Sequence, residues 1–536
     1  MQSQAMFGKD KARLLWGVVW GGVATLLIAA TVYPEPSEIS RVRRPTRRLT
    51  PAVFPHSTPE AQGMDSSLLA QAIDFLLEQR ELYNIHSLSL VRRGRLVTDV
   101  DFYPAQPSQL HNIASISKVF TSTLVGIAID RGHIASVDTK MVDFFPDRTI
   151  ANLDDDKRSI TVEHLLTMTS GLGGVLPYEE ESESMEASAD WLQFALDLPM
   201  TSAPGSTFRY SNLNIFLLSA IITETTGMSA HEFAKRHLLR PLGIVESEWW
   251  PVSPQGFSKG SGGLMLSPHD LAVFGQLFLQ RGRWRGRQPI SQSWVSSSTT
   301  AHVDGHYGYC WARYPGRDSF FYAAGAKGQR LVVSPDHDLV AVFSGGGYSH
   351  SDIELVYLEA LESFILPAVQ SDVSLPPNPV GTMQLNTAIE GAESPGREPH
   401  EVPPLPDIAG LVSGTTYVME DNPYGILTLT VNFPADDEAQ LHFTSTGQRT
   451  YDPDFDWAAG FDGIERFARG RLGILAAGTA EWNDDRSFVM TVDELGNLEL
   501  FRLTVVFEDE GDGISVTVED MDWWRPQPTF VMTGST

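Results

Sequence analysis

The feature that most restricts this chain is a polar turn set directly against an apolar helix. The string Asn112-Ile113-Ala114-Ser115-Ile116-Ser117-Lys118 runs into the apolar stretch Val119 to Ile129. Phe120, Leu124, Ile127 and Ala128 recur at helical spacing, and Gly132 supplies the stop. A helix this apolar has to be buried. Ser115 and Lys118 stand three apart, so their side chains share one helix face, one turn from each other. A lysine at the head of a buried helix loses hydration, its pKa falls, and it becomes a possible base toward a neighbouring hydroxyl. S-x-x-K is a short pattern and carries little weight alone.

Two stretches further along the chain supply that weight. Pro204-Gly205-Ser206-Thr207-Phe208-Arg209-Tyr210-Ser211-Asn212 leads into an apolar helix, Leu213 to Thr225, stopped by Gly227. Tyr210 offers a phenol that can relay a proton, and Asn212 an amide that can hold a carbonyl or the lysine. The third stretch, Phe320 to Gln329, shrinks to Ala323-Ala324-Gly325-Ala326 and leads into a hairpin turning at Pro335-Asp336-His337-Asp338. A strand with such small side chains lets another backbone, such as a substrate, lie alongside it. Two other patterns carry no chemistry. Gly256-Phe257-Ser258-Lys259-Gly260 fits G-x-S-x-G, but no helix begins until Ser267, so the strand-to-helix elbow is missing. His231 and His237 are six apart and do not converge on a metal, and Ser229 with Glu232 reads as a capping box.

Ser115-Ile116-Ser117-Lys118, Tyr210-Ser211-Asn212 and a glycine-ended third strand, in this order, resemble the serine β-lactamase and penicillin-binding-protein superfamily. The nearest branch is the esterase-like and 6-aminohexanoate-dimer-hydrolase-like proteins, whose third motif is similar to Ala324-Gly325-Ala326-Lys327-Gly328-Gln329. Leu165-Leu166-Thr167-Met168-Thr169-Ser170-Gly171, Pro204-Gly205 and Gly262-Gly263 extend the likeness, which covers Val53 to Ala368. It implies an α+β fold, a mostly antiparallel sheet between helical layers, with the active site between the sheet and the helical region. It also implies an acyl-enzyme on Ser115, an acid/base pair of Lys118 and Tyr210, and substrate or oxyanion contacts from Asn212, Gly325 and Ala326. No cofactor or metal is expected. The substrate class is a small-molecule or short-peptide amide or ester. Where β-lactamases carry Lys-Thr-Gly this chain has Ala323-Ala324-Gly325, so the cation for a substrate carboxylate is missing, and Lys327 lies past the glycine. On an extended strand Lys327 would stand about 13 Å from Ala323. The alternatives are a penicillin-binding-type D-amino-acid peptidase or β-lactamase, and a catalytically silent peptide-binding scaffold.

The rest of the chain sets the organisation. The net charge of −28 repels a phosphate backbone and excludes nucleic acid as a partner. Cys310 is the single cysteine, so no internal disulfide forms. Leu14 to Tyr33 is uncharged over about 20 residues, enough for a bilayer-spanning helix, and reads as an uncleaved signal anchor. The expected location is therefore a single-pass membrane protein with its catalytic domain extracytoplasmic, although the arginines from Arg41 to Arg48 oppose export. The domains read as 1–34 with the span, a 35–55 tether, a 56–366 hydrolase domain, a 367–406 linker and a 407–530 β domain. Tyr178 to Glu186 reads as a mobile acidic loop, and 367–406 as Pro-rich with no apolar period. After the linker the period becomes two (Leu427, Leu429, Val431, Phe433; Phe501, Leu503, Val505, Phe507; Ile514, Val516, Val518), which predicts an all-β barrel or sandwich.

Overall fold

Asp65 starts the first long helix. Its carboxylate accepts from the Ser67 amide, and α1 (Ser66–Tyr83) runs until Asn84 turns the backbone left-handed. The structure, a computed structural model, describes residues 54–536 apart from 108, 175, 315, 318, 347–351, 448–451, 509 and 522–528. All of these residues belong to one compact unit, Ala52–Thr536. The expected membrane span and most of the tether lie outside the described residues, among which no single helix is long and apolar enough to cross a membrane.

After α1 the chain alternates with period two. β1 (Ile85–Arg92) and β2 (Arg95–Asp101) form a hairpin through Arg93 and Gly94, both at positive φ. The partners come from far downstream: β3 (Phe321–Gly325), β4 (Gln329–Ser334) and β5 (Leu339–Gly345). The order is β2-β1-β5-β4-β3 with every pair antiparallel, so β1, β5 and β4 are central and β3 is an edge.

Helices cover both faces. On one, Leu88, Leu90, Val332 and Phe343 meet Leu69, Ile73 and Leu76 of α1. On the other, Leu331, Val333, Val340 and Val342 meet the helical region built on α2 (Ser117–Asp130), α3 (Asn212–Thr226) and α4 (Pro268–Leu279). Phe120 of α2 stacks on Phe274 of α4 with ring centroids 3.8 Å apart. This is the α+β arrangement, sheet between helical layers, that the resemblance implies.

Three expectations need correcting. The stretch 367–406 is not free of structure: α5 (Ile353–Glu359) is followed, within it, by α6 (Pro379–Ala392), capped by the Asn378 side chain. Its buried residues are Gly381, Leu385, Ala388 and Ala392, a helical stripe composed mostly of small side chains. Gly381 lets α6 approach the start of α1 closely, because a Cβ there would lie 2.5 Å from Ser66 Oγ and 2.6 Å from Ser67 Oγ. The acidic segment is also helical, over Tyr178–Glu186. Met185 and Glu181 are buried, and Glu181 is paired with Arg209 at 3.2 Å. Finally, the end of the tether is already docked: Phe54 is core, and Pro55 accepts a bond from the Leu96 amide.

The C-terminal part is a barrel. Strands Ile426–Ala435, Glu438–Ser445 and Asp454–Gly460 form one antiparallel run. Leu475–Asp484, Ser487–Glu494, Glu499–Phe507, Gly513–Asp520 and Phe530–Ser535 form another. Thr415–Met419 joins the runs on one side, and the Gly460–Thr479 pairing closes the other. Leu429, Val431, Leu503, Val505 and Val516 fill the interior as the period predicts. Leu427 does not: a register shift between Ile426 and Thr428 turns it outward and puts Ile426 inside.

The small-residue stripe of α6 makes a stability prediction. Leu385→Ala should lower the unfolding free energy by about 2–5 kcal/mol. Met383→Ala, on the exposed face, should change it by no more than about 0.5 kcal/mol. Equal, small effects in a urea titration would mean that α6 does not dock.

Candidate active site

Ser115 lies in the single turn Ala114–Ile116 that leads into α2. Ala114 is left-handed at φ 46°, a conformation that costs a non-glycine residue about 1–2 kcal/mol. Its surroundings hold it there. The Asn112 carboxamide oxygen accepts from the Ala114 amide at 2.9 Å, and Ser117 Oγ donates to the Ala114 carbonyl at 2.7 Å. The same hydroxyl accepts from Leu264 N at 3.1 Å, while Ile113 N donates to Leu264 O at 2.9 Å. The short strand Leu264–Leu266, paired with His111–Asn112, thus clamps the turn from outside.

Lys118 is 2% exposed, with Nζ 2.8 Å from Ser115 Oγ and 2.7 Å from the Ser261 carbonyl. The ammonium form donates to both oxygens; the amine keeps a hydrogen for Ser261 and turns its lone pair toward the Ser115 hydroxyl. Burial pulls the Lys118 pKa down to about 7. A Cys310 thiolate would oppose this and Lys259 adds to it. Burial pushes the Cys310 thiol up to about 12, however, so it carries no charge near neutrality.

Tyr210 lies with its ring over this amine, the centroid 4.8 Å from Nζ. That contact favours the ammonium form, but desolvation is the larger effect on a side chain this buried. Asn212 is the first residue of α3 and is half-buried, with Ser211 before it as the N-cap. The structure therefore brings Ser115, Lys118 and Tyr210 together and sets Asn212 two residues from Tyr210.

Strand β3 forms the facing wall. Gly325 is needed by close approach: a Cβ there would stand 2.7 Å from the Ile113 carbonyl and 3.0 Å from Ala114 Cβ. Tyr322 exchanges two backbone bonds with Ala312 on the outer edge of β3. By the alternation of an antiparallel strand, Ala324 turns its N–H and C=O to that same edge. Ala326 opens the hairpin turn and is exposed. Ala323 is 2% exposed within the core. Lys327 is not on an extended strand, which corrects the 13 Å estimate: it sits in the turn at φ 57°. There its charge, after that of Arg471, holds the Glu499 carboxyl below its usual range despite burial.

Some neighbours carry no signal in the sequence. Tyr307 and Cys310 belong to none of the motifs above, yet both are buried, and burial, with Cys310 and Tyr210 adding to it, lifts the Tyr307 phenol well above the usual range. Ser261 acts through its backbone carbonyl, which no residue pattern announces. Ser258 is a buried structural serine whose Oγ accepts from the His231 amide at 3.2 Å. Ser229 and Glu232 form the capping box of Ala230–Ala234. Among the described residues no group of three His, Cys, Asp or Glu side chains is arranged to hold a metal ion.

The close approach at Gly325 yields a test. Gly325→Ala should displace the Ile113–Ser115 turn and slow fluorophosphonate labelling of Ser115 by roughly 100-fold. An unchanged labelling rate, followed by intact mass, would show that the two walls are independent.

Residues 83–357 match the family model described as Beta-lactamase. The 6-aminohexanoate-dimer hydrolase of Paenarthrobacter ureafaciens is 25% identical over 293 residues, 50% of this chain and 74% of that one. Esterase EstB of Burkholderia gladioli is 26% identical over 223 residues, 37% of this chain and 56% of the esterase. A solved structure from Bacillus anthracis, assigned as a 6-aminohexanoate-dimer hydrolase, superposes with a TM-score of 0.50 at 20% identity. It covers 59% of this chain and 87% of its own, and it supports the fold alone. With the family model spanning the sheet, the Ser115 turn and the facing strand, the chain belongs to the beta-lactamase family and is a serine hydrolase.

Proposed function

We propose that the protein cleaves an amide or ester through an acyl-enzyme on Ser115, with Lys118 as the base. The observation that carries this reading is the buried amine 2.8 Å from the Ser115 hydroxyl, with its pKa drawn to about 7 by burial. In that range a large fraction of Lys118 is neutral and able to take the serine proton. The carbonyl carbon accepts the Ser115 oxygen, and its own oxygen becomes the oxyanion. The backbone N–H groups of Ser115 and Ala326 would face that oxygen across the cleft; each such donor contributes roughly 3 kcal/mol. Collapse of the tetrahedral intermediate expels the amine or alcohol, which takes a proton from the Lys118 and Tyr210 pair. Water then repeats the sequence on the acyl-enzyme, and Asn212 orients the acyl carbonyl. The N-terminal apolar stretch would anchor the enzyme, with the domain facing away from the cytoplasm.

Three features favour substrates without a carboxylate. The position matching the usual cation is Ala323, its side chain is buried, and the nearest lysine in sequence, Lys327, sits in the left-handed turn past Gly325 and not on the strand. A charge-assisted bond of this kind is worth about 1.5–3 kcal/mol, roughly ten- to a hundred-fold in kcat/KM. The relatives, by name a 6-aminohexanoate-dimer hydrolase and an esterase, fit cleavage of an amide or ester.

Intact mass after fluorophosphonate treatment should show one adduct on wild type and none on Ser115→Ala. In a substrate panel, short-chain aryl esters should be turned over at least about ten-fold better than penicillins. Efficient penicillin hydrolysis that disappears in Lys327→Ala would contradict this reading and make Lys327 the carboxylate anchor.

A further inference from the structure

The turn that carries Ser115 is touched by the C-terminal barrel. The connection between strands Ser487–Glu494 and Glu499–Phe507 comes close enough for the Asn112 amide to donate to the Gly496 carbonyl at 2.7 Å. A side chain at Gly496 would meet the Leu110 carbonyl at 2.2 Å, so the approach requires glycine. Asp493, at the foot of this loop, accepts from Asn84 Nδ2 at 2.6 Å and stands 3.3 Å from His86 Nε2. His86 Nδ1 is in turn 2.9 Å from His111 Nε2. A line of buried polar groups thus leads from the barrel through β1 to the residue just before Asn112.

The same loop is pinned at its base within the barrel. Arg471 pairs with Glu494 at 2.7 Å and with Glu499. Asn497 Nδ2 donates to Glu494 Oε2 at 3.2 Å and Trp457 Nε1 to Glu494 Oε1 at 3.3 Å, which makes the loop rigid at its base. Adhesion alone does not account for this design. Buried carboxylates and imidazoles are costly contacts, and apolar residues of the same size would hold two surfaces together at least as well. Two atoms of the line, Asp493 Oδ1 and His111 Nδ1, are buried without a hydrogen-bond partner. Directional bonds fix position where apolar packing does not.

We propose that the barrel loop from Asp493 to Glu499 is a positioning element of the active site, holding the Ser115 turn through Gly496 and the Asp493–His86–His111 line. Asp493 is a positioning residue: it touches no reacting atom and acts through the turn that carries Ser115. The inference rests on Ser115 as nucleophile.

The test uses the full-length protein with Asp493→Ala, Asp493→Asn and Gly496→Ala. Thermal melting is measured alongside fluorophosphonate labelling of Ser115 and the kcat and KM of an aryl ester. The expected result is a loss of roughly ten-fold or more in labelling rate and kcat for Asp493→Ala, with KM nearly unchanged. Asp493→Asn, which keeps an oxygen for Asn84 and His86, should recover most of the rate. Gly496→Ala, whose Cβ would meet the Leu110 carbonyl, should likewise lower kcat with KM nearly unchanged, and it decides the matter if Asp493→Ala does not fold. Labelling and kcat within about two-fold of wild type in the folded variants would overturn the positioning role alone. A fluorophosphonate adduct on a residue other than Ser115 in wild type would overturn the nucleophile assignment and this inference with it.

Discussion

The site depends on one desolvated amine. Lys118 sits at the head of a helix whose next ten residues are all buried, so its charge has almost no water to stabilise it. An ammonium held this way is unstable relative to the amine, and the fold offsets that with one backbone carbonyl, Ser261, and one aromatic face, Tyr210. The same burial that would be a defect elsewhere leaves much of the Lys118 amine neutral near pH 7, as the proposed role of base requires. It also explains the wealth of bonds around the preceding turn. A reactive pair of serine and amine is useful only if their separation is held, and the strained Ala114 backbone is retained by Asn112, Ser117 and Leu264 together.

The architecture supplies the second wall at small cost in side chains. An edge strand beside the Ser115 turn has to come close, and Gly325 permits it. A larger residue would push apart the two backbones between which an oxyanion is expected to sit. The barrel then adds a third constraint from outside the sheet. Its loop meets the stretch just ahead of Ser115, so the domain boundary marked by the change of period does not separate the barrel from the site.

Legibility in the sequence obeys a simple physical rule. Large side chains at regular spacing announce themselves: Phe120 and Leu124 in α2, Leu429 and Val431 in the barrel. Short motifs to which chemistry is assigned under the proposed function, Ser115 with Lys118 and Tyr210 with Asn212, are legible because few residue types could do that work. Small residues are silent. The face of α6 that packs on α1 is Gly381, Leu385, Ala388 and Ala392, and a stripe of glycine and alanine has little hydrophobic contrast. The acidic segment Tyr178–Glu186 misleads because its helix is held by one buried methionine and by ion pairs to Arg209 and Lys259. Contacts made by backbone carbonyls, Ser261 to Lys118 and Gly496 to Asn112, leave no trace in residue identity. The junction of the barrel with the Ser115 turn is unreadable for that reason.

The central claim is that burial makes Lys118 the base for Ser115. The sign is direct: the amine is the active form, and burial lowers the pKa at which it appears. Reactivity should therefore be lost as pH falls through the folded-state value and be full above it. The most direct measurement is the second-order rate of fluorophosphonate labelling of Ser115 across pH, for wild type and Lys118→Arg. The account predicts a rising limb for wild type with a midpoint near the Lys118 pKa of about 7, and for the arginine variant a low rate without that limb. A wild-type midpoint close to that of an ordinary exposed lysine, or an undiminished rate in Lys118→Arg, would contradict it.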